Sequence, residues 1–281
     1  MAFRLTTEES FPDGIRRIVL EQLNKAADQL SNPKKVDRGV HEARRAIKKV
    51  RGVLRLIQPQ MNSAYEAENR QLRTLSRSLS DLRDAAVMLE VFDSLAPKRG
   101  NRFDPIRQGL SVKHAANVPE IFRKSMTELR SIARRVDDWP VPKDVDAVMS
   151  AGFEDTYQRG RKALDDALDN ATPENLHRFR KRVKEHRFHL SLLSTSDEET
   201  KRLKDLRQLE VLLGDEHNLA VLRDRLDDNP GLYGDLSDVS AFHALLTRKQ
   251  RQIQARALPL GRRLYAMEES PRLTPASLRT A

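Results

Sequence analysis

Residues 40–57 confine seven cations and a continuous apolar stripe to the same short helix. His41, Arg44, Arg45, Lys48, Lys49, Arg51 and Arg55 supply its polar side. At about 100° per residue, His41, Arg44, Lys48, Arg51 and Arg55 fall within one sector of about 80°. Val40, Ala43, Ile47, Val50, Leu54 and Ile57 fall on another. Such a segment must bury one face in a helical core and leave a ladder of positive charge beside it. Like charges on adjacent turns repel by a few tenths of a kcal/mol per pair. Nearby acids are scarce: Glu42 lies outside the ladder.

The pattern returns at 176–193. His177, Arg180, Lys181, Lys184 and Arg187 repeat the spacing of His41, Arg44, Arg45, Lys48 and Arg51. His41 and His177 lie 136 positions apart, as do Lys48 and Lys184. Further on, Leu82-Arg83-Asp84-x-x-Val87 is similar to Glu216-His217-Asn218-x-x-Val221 at an offset of 134. Two copies at so long a period read as an internal duplication rather than a solenoid. Like halves packed together would set their basic helices about a pseudo-twofold axis.

The rest of the chain supports helices throughout. Periodicity and breakers predict helices over 13–30, 40–57, 63–95, 104–136 with an interruption at Pro119, 144–168, 173–194, 197–226 and 239–267. Thr172-Pro173 forms a helix start, with a capping hydroxyl before proline. The aromatic content of 5% fits neither a β-sandwich nor a base-stacking sheet. Residues 137–143, holding Trp139 and two prolines without periodicity, divide halves at 5–136 and 144–268, with a flexible tail at 269–281. The absence of cysteine excludes disulfides, thiolate metal sites and a cysteine nucleophile. No apolar run reaches the length of a membrane span, and no export signal opens the chain. A soluble cytoplasmic protein that makes no membrane contact is the expectation.

A net charge of +10 points to an anionic partner. Arginine grips phosphate oxygens in pairs and lysine acts as a point charge. Rungs spaced about 5 Å apart suit a linear polyanion better than a small anion. A histidine near phosphates is expected to have a raised pKa and to add affinity at mildly acid pH. RNA or single-stranded DNA is the alternative, but aromatics beside the charge are few. Phe179 takes the place of Ala43 on the apolar stripe and reads as core. An acidic protein docking on the basic face is a further alternative.

Catalytic signatures are missing. There is no glycine-rich phosphate loop and no nucleophile elbow. Glu66-x-Glu68-x-Arg70 is only faintly like the E-x-E-x-K signature of tunnel triphosphatases. His186 and His189 are three apart, but His186 sits on the apolar stripe and reads as structural, so no metal site is expected. Asp84 and Asn218 read as acceptors holding basic side chains, and His217 has no assigned role.

The motif His41-x-x-Arg44-x-x-x-Lys48-x-x-Arg51, its copy at His177-x-x-Arg180-x-x-x-Lys184-x-x-Arg187, and the Arg83-Asp84 and His217-Asn218 segments resemble the CHAD domain, the conserved histidine α-helical domain. The resemblance covers about residues 5–268. It implies an all-α fold of two four-helix bundles related by pseudo-twofold symmetry, with a basic central groove. It also implies non-enzymatic binding of inorganic polyphosphate, without a cofactor, at polyphosphate granules. The ligand-facing residues it implies are His41, Arg44, Lys48, Arg51, His177, Arg180, Lys184 and Arg187, with Arg45, Arg55 and Lys181 as neighbours. Arg55 is matched by Ser191 and Asp84 by Asn218, so the two sides are not identical. A homodimer is left open.

Overall fold

The structure is a computed structural model that describes residues 3–6, 8–32, 36–80, 82, 84–96, 101–111, 117–144, 148–193 and 197–270. Arg83, the side chain of Asp84, the turn at 97–100 and the tail at 271–281 lie outside the described residues. The fold is all-α: the described residues form ten α-helices and no strand. They are α1 (Phe11–Leu30), α2 (Val36–Leu56), α3 (Gln58–Ser78), α4 (Asp84–Leu95), α5 (Asp104–Leu110), α6 (Val118–Ala133), α7 (Glu154–Asp169), α8 (Pro173–Leu193), α9 (Asp197–Asp228) and α10 (Leu236–Leu264).

Local signals set the helix ends. Ser10 Oγ accepts from the Asp13 amide at the start of α1, and Thr172 Oγ1 accepts from the Asn175 amide at the start of α8. The region expected to be one helix over 63–95 is two. α3 begins at Gln58, breaks at Asn62 (φ 47°) and ends at Ser78. Asparagine tolerates a positive φ better than most residues with a side chain. Arg44 donates to the Ser76 carbonyl and to Ser80 Oγ, so a cation from α2 satisfies the C-terminal end of α3. The stretch over 104–136 is divided near Pro119 as expected: α5 ends at Leu110, and Pro119 occupies the first turn of α6. The helix expected from 144 starts later: a π-helical turn, Met149–Phe153, precedes α7.

The apolar stripes form the core. Val40, Ala43, Ile47, Val50, Leu54 and Ile57 are each 0% exposed. Leu176, Phe179, Val183 and Leu190 on α8 are also buried. α1 packs against α2 and α6, α8 packs against α7 and α9, and α9 packs against α10. α4 crosses onto α9, and Phe92 of α4 stacks on Phe242 of α10 at 4.9 Å. Residues from before and after Trp139, itself buried, therefore share one hydrophobic cluster. Glu68 accepts two hydrogen bonds from Arg135, at 2.7 and 2.9 Å, tying α3 to the segment after α6. This gives Glu68 a packing role, while Glu66 is exposed.

α2 and α8 meet at Gly52. A Cβ there would come within 3.1 Å of the Phe188 ring, so glycine permits the close approach. His189 Nε2 donates to the Gly52 carbonyl at 2.8 Å. His189 is buried and burial pushes its pKa down to about 4, so the ring is neutral and holds the two helices together without charge.

Candidate anion-binding site

The crossing of α2 and α8 leaves a cavity of about 620 Å³ between them, closed on another side by α3. Among the described residues, eleven arginine and lysine side chains line it, against one carboxylate, Glu185. From α2 come Arg44, Lys48, Arg51 and Arg55, and from α8 come His177, Arg180, Lys181 and Lys184. These two ladders face one space because their apolar stripes are buried on either side of the shared Gly52–Phe188 contact. The remaining site residues expected from the sequence lie elsewhere. His41 and Arg45 stand beside Glu42, at 3.9 and 3.8 Å, and do not line the cavity. Arg187 lies behind the wall, where its Nε donates to Glu210 and its guanidinium stands 4.6 Å from the Phe188 ring centre.

Part of the lining comes from residues outside the repeated motif. Arg73 and Arg77 come from α3, and Arg178 and Arg182 from α8. The three- and four-residue spacing of Arg70, Arg73 and Arg77 was the available signal, but it does not reveal which helix they face. His217, left without a role, packs its ring against His177 with centroids 4.1 Å apart. His41 and His177 are thus equivalent in sequence and different in place.

Two cations of α2 hydrogen-bond to neutral acceptors. Arg51 Nε donates to Asn69 Oδ1 at 2.9 Å, and Arg55 donates to Gln58 Oε1 at 3.1 Å. On the α8 side Lys184 Nζ lies 2.9 Å from Glu210. Arg180 Nε and His177 Nδ1 are buried with no hydrogen-bond partner among the described residues. Unsatisfied buried donors and crowded cations are costly unless an anion completes them.

Burial beside cations dominates the electrostatics of the free cavity. Burial, with Lys181 and Arg180 adding to it, pushes the His177 pKa down to about 4. Burial and the neighbouring His177 push His217 down to about 3. Both rings are therefore neutral at pH 7 in the free protein; the raised values expected beside phosphates concern the occupied cavity. The reason is that the free cavity presents cations, not anions, to the imidazoles. Burial, then Lys184, Arg44 and Arg180, push Lys48 down to about 7.

His186 and His189 do not converge. His186 Nδ1 pairs with Tyr265 OH at 3.0 Å, whereas His189 reaches Gly52. No cluster of three or more potential metal-ligating side chains occurs among the described residues. No helix among them is long and apolar enough to cross a membrane.

Together these features define an all-helical protein with a cationic cavity at the crossing of two amphipathic helices. The chain belongs to the CHAD domain family, whose model matches residues 17–227. Its fold is similar to that of the crystal structure of the CHAD domain from the plant Ricinus communis, with a TM-score of 0.64 and 16% identity, covering 98% of this chain and 96% of that one. The comparison with curated protein sequences gave no match.

Proposed function

We propose that this protein binds inorganic polyphosphate in the cavity between α2, α3 and α8, without catalysing a reaction on it. The observation that carries this reading is the lining: among the described residues, eleven Lys or Arg side chains and one carboxylate around a single space. A chain of phosphates presents a negative charge at every unit and accepts hydrogen bonds all round, so it can pair with cations converging from three helices. It needs no aromatic stacking and no base-edge readout. Two aromatic rings do line the cavity, but both carry cations. Arg55 lies 5.5 Å from the Tyr65 ring centre, and Lys184 lies 5.9 Å from that of Phe188. Those rings serve the cations as packing surfaces rather than as platforms for bases. The same reading assigns residence in the cytoplasm at polyphosphate granules.

Competition tests the ligand. Fluorescent polyphosphate is bound to the protein and challenged with unlabelled polyphosphate or single-stranded RNA at equal phosphate concentration. The expected result is displacement by polyphosphate and little by RNA, with affinity for both weakening steeply as salt rises. Preferential displacement by RNA would transfer the site to nucleic acid.

A further inference from the structure

α10 carries a second cationic surface, outside the cavity. Between Val239 and Met267 the chain holds six arginines and lysines and no acid: Arg248, Lys249, Arg251, Arg256, Arg262 and Arg263. All six are exposed. At about 100° per residue they share a sector of about 160°, away from the buried Val239, Leu246, Ile253, Ala257 and Leu264. From Arg248 to Arg263 the row runs for about 22 Å. Among the described residues only Arg263 of the six makes an ion pair, with Asp205 at 3.1 Å. Like charges on neighbouring turns repel, so this face favours an anion.

Three consecutive residues of α9 join the face to the cavity. His217 lines the cavity. Glu216, buried beside it, accepts from Gln250 and Gln254 of α10 at 3.2 and 3.3 Å. Asp215 is exposed, and the charges of both Lys249 of α10 and Arg180 of the cavity act on it. Resting on the polyphosphate reading, we infer that the outer face of α10 is a track for the part of a long polyphosphate chain that the cavity does not enclose. A chain leaving past Arg180 meets Lys249 next, replaces Asp215 as its counter-anion, and continues over the arginines of the row. The regular charge of polyphosphate complements a row of cations that offers no other means of recognition. Among the described residues of α10 no aromatic ring is exposed for bases to stack on, since Phe242 and the adjoining Tyr265 are buried. The apolar side of α10 lies in the core and cannot enter a lipid surface. The cavity thus selects the ligand, and the outer track makes affinity grow with chain length.

Chain length is therefore the variable to test. Affinities for tripolyphosphate, long-chain polyphosphate and single-stranded RNA are measured at about 0.15 M salt, where charges more than about 8 Å apart are largely screened. The proteins are the wild type, an α10 variant (Arg248→Gln, Lys249→Gln, Arg251→Gln and Arg256→Gln together) and a cavity variant (Lys48→Gln with Lys181→Gln). The four α10 side chains are exposed and glutamine is a good helix former, so the α10 variant should fold. It should lose roughly 10- to 100-fold for the long chain, at about two- to threefold per exposed charge, and less than about twofold for tripolyphosphate. The cavity variant should lose affinity for both chains. Unchanged long-chain affinity in the α10 variant would overturn the inference, and a loss of RNA affinity alone would give the face to nucleic acid instead. Equal losses for the two chains would also overturn it. Long-chain affinity that survives in the cavity variant would overturn the proposed function, as would binding of neither chain by the wild type, and the inference would fall with it.

Discussion

Reversing Lys48 and Lys181 to glutamate together lowers affinity for polyphosphate by at least about a hundredfold, because each removes a charge-assisted contact of about 1.5–3 kcal/mol. Both side chains line the cavity. Lys48 sits among Lys184, Arg44 and Arg180, and Lys181 near Arg182, Arg51 and Arg73. Reversal also places two carboxylates where phosphates would lie. Lys184 is the poorer choice for reversal, because a second acid would then face Glu210 at the distance of the present 2.9 Å ion pair. The fold should survive. Lys48 and Lys181 are held chiefly against neighbouring cations, with Glu210 and Glu185 acting on them more weakly, so reversal exchanges more repulsion than attraction. Circular dichroism should show unchanged helicity and thermal melting an equal or higher Tm. Retained affinity in a folded double variant would remove the cavity as the site.

Affinity falls roughly 10- to 100-fold as pH rises from about 7 to about 9, because binding returns a depressed lysine towards its ordinary value and takes up a proton. The lysine is Lys48, pushed down to about 7 in the free protein from an ordinary 10.5. Between those values the unfolded chain holds more protons than the free folded protein. The stability of the free protein therefore rises with pH across that window, while binding weakens across it. His177 and His217 act below it. They are pushed down to about 4 and about 3 from an ordinary 6.5. The unfolded chain gains protons there first, so the free protein loses stability as pH falls below about 6.5. Phosphates would raise both histidines and add affinity on the acid side. Calorimetry in two buffers of different ionisation heat at pH 7.5 should report net proton uptake on binding. Zero uptake would show that Lys48 does not meet the ligand.

How much of this was legible in the sequence varied with the kind of information required. α2 and α8 could be read because each segregates charge from apolar residues at helical period, and that pattern depends on no neighbour. The break between α3 and α4 could not. It lies in a serine- and leucine-rich stretch without proline or glycine, and it is stabilised from outside by Arg44 of α2. The same limit applies within the site. His41 and His177 head identical motifs, yet only His177 lines the cavity, where His217 of α9 stacks on it. Arg187 aligns with Arg51, yet Glu210 draws it behind the wall. Arg73 and Arg77 had visible spacing but no visible target. The direction of the histidine shifts depends on burial beside cations, which no spacing reveals. Periodicity tells which face of a helix is charged, and packing decides which of those charges meet.

The most direct test of the central claim is to locate phosphates in a crystal grown or soaked with short-chain polyphosphate. The expected result is a chain of phosphate density inside the cavity, in contact with Lys48 and Arg51 of α2, Arg73 or Arg77 of α3, and Arg180 and Lys181 of α8. An empty cavity with phosphates held only by outward arginines of α10, such as Arg251 and Arg262, would contradict it.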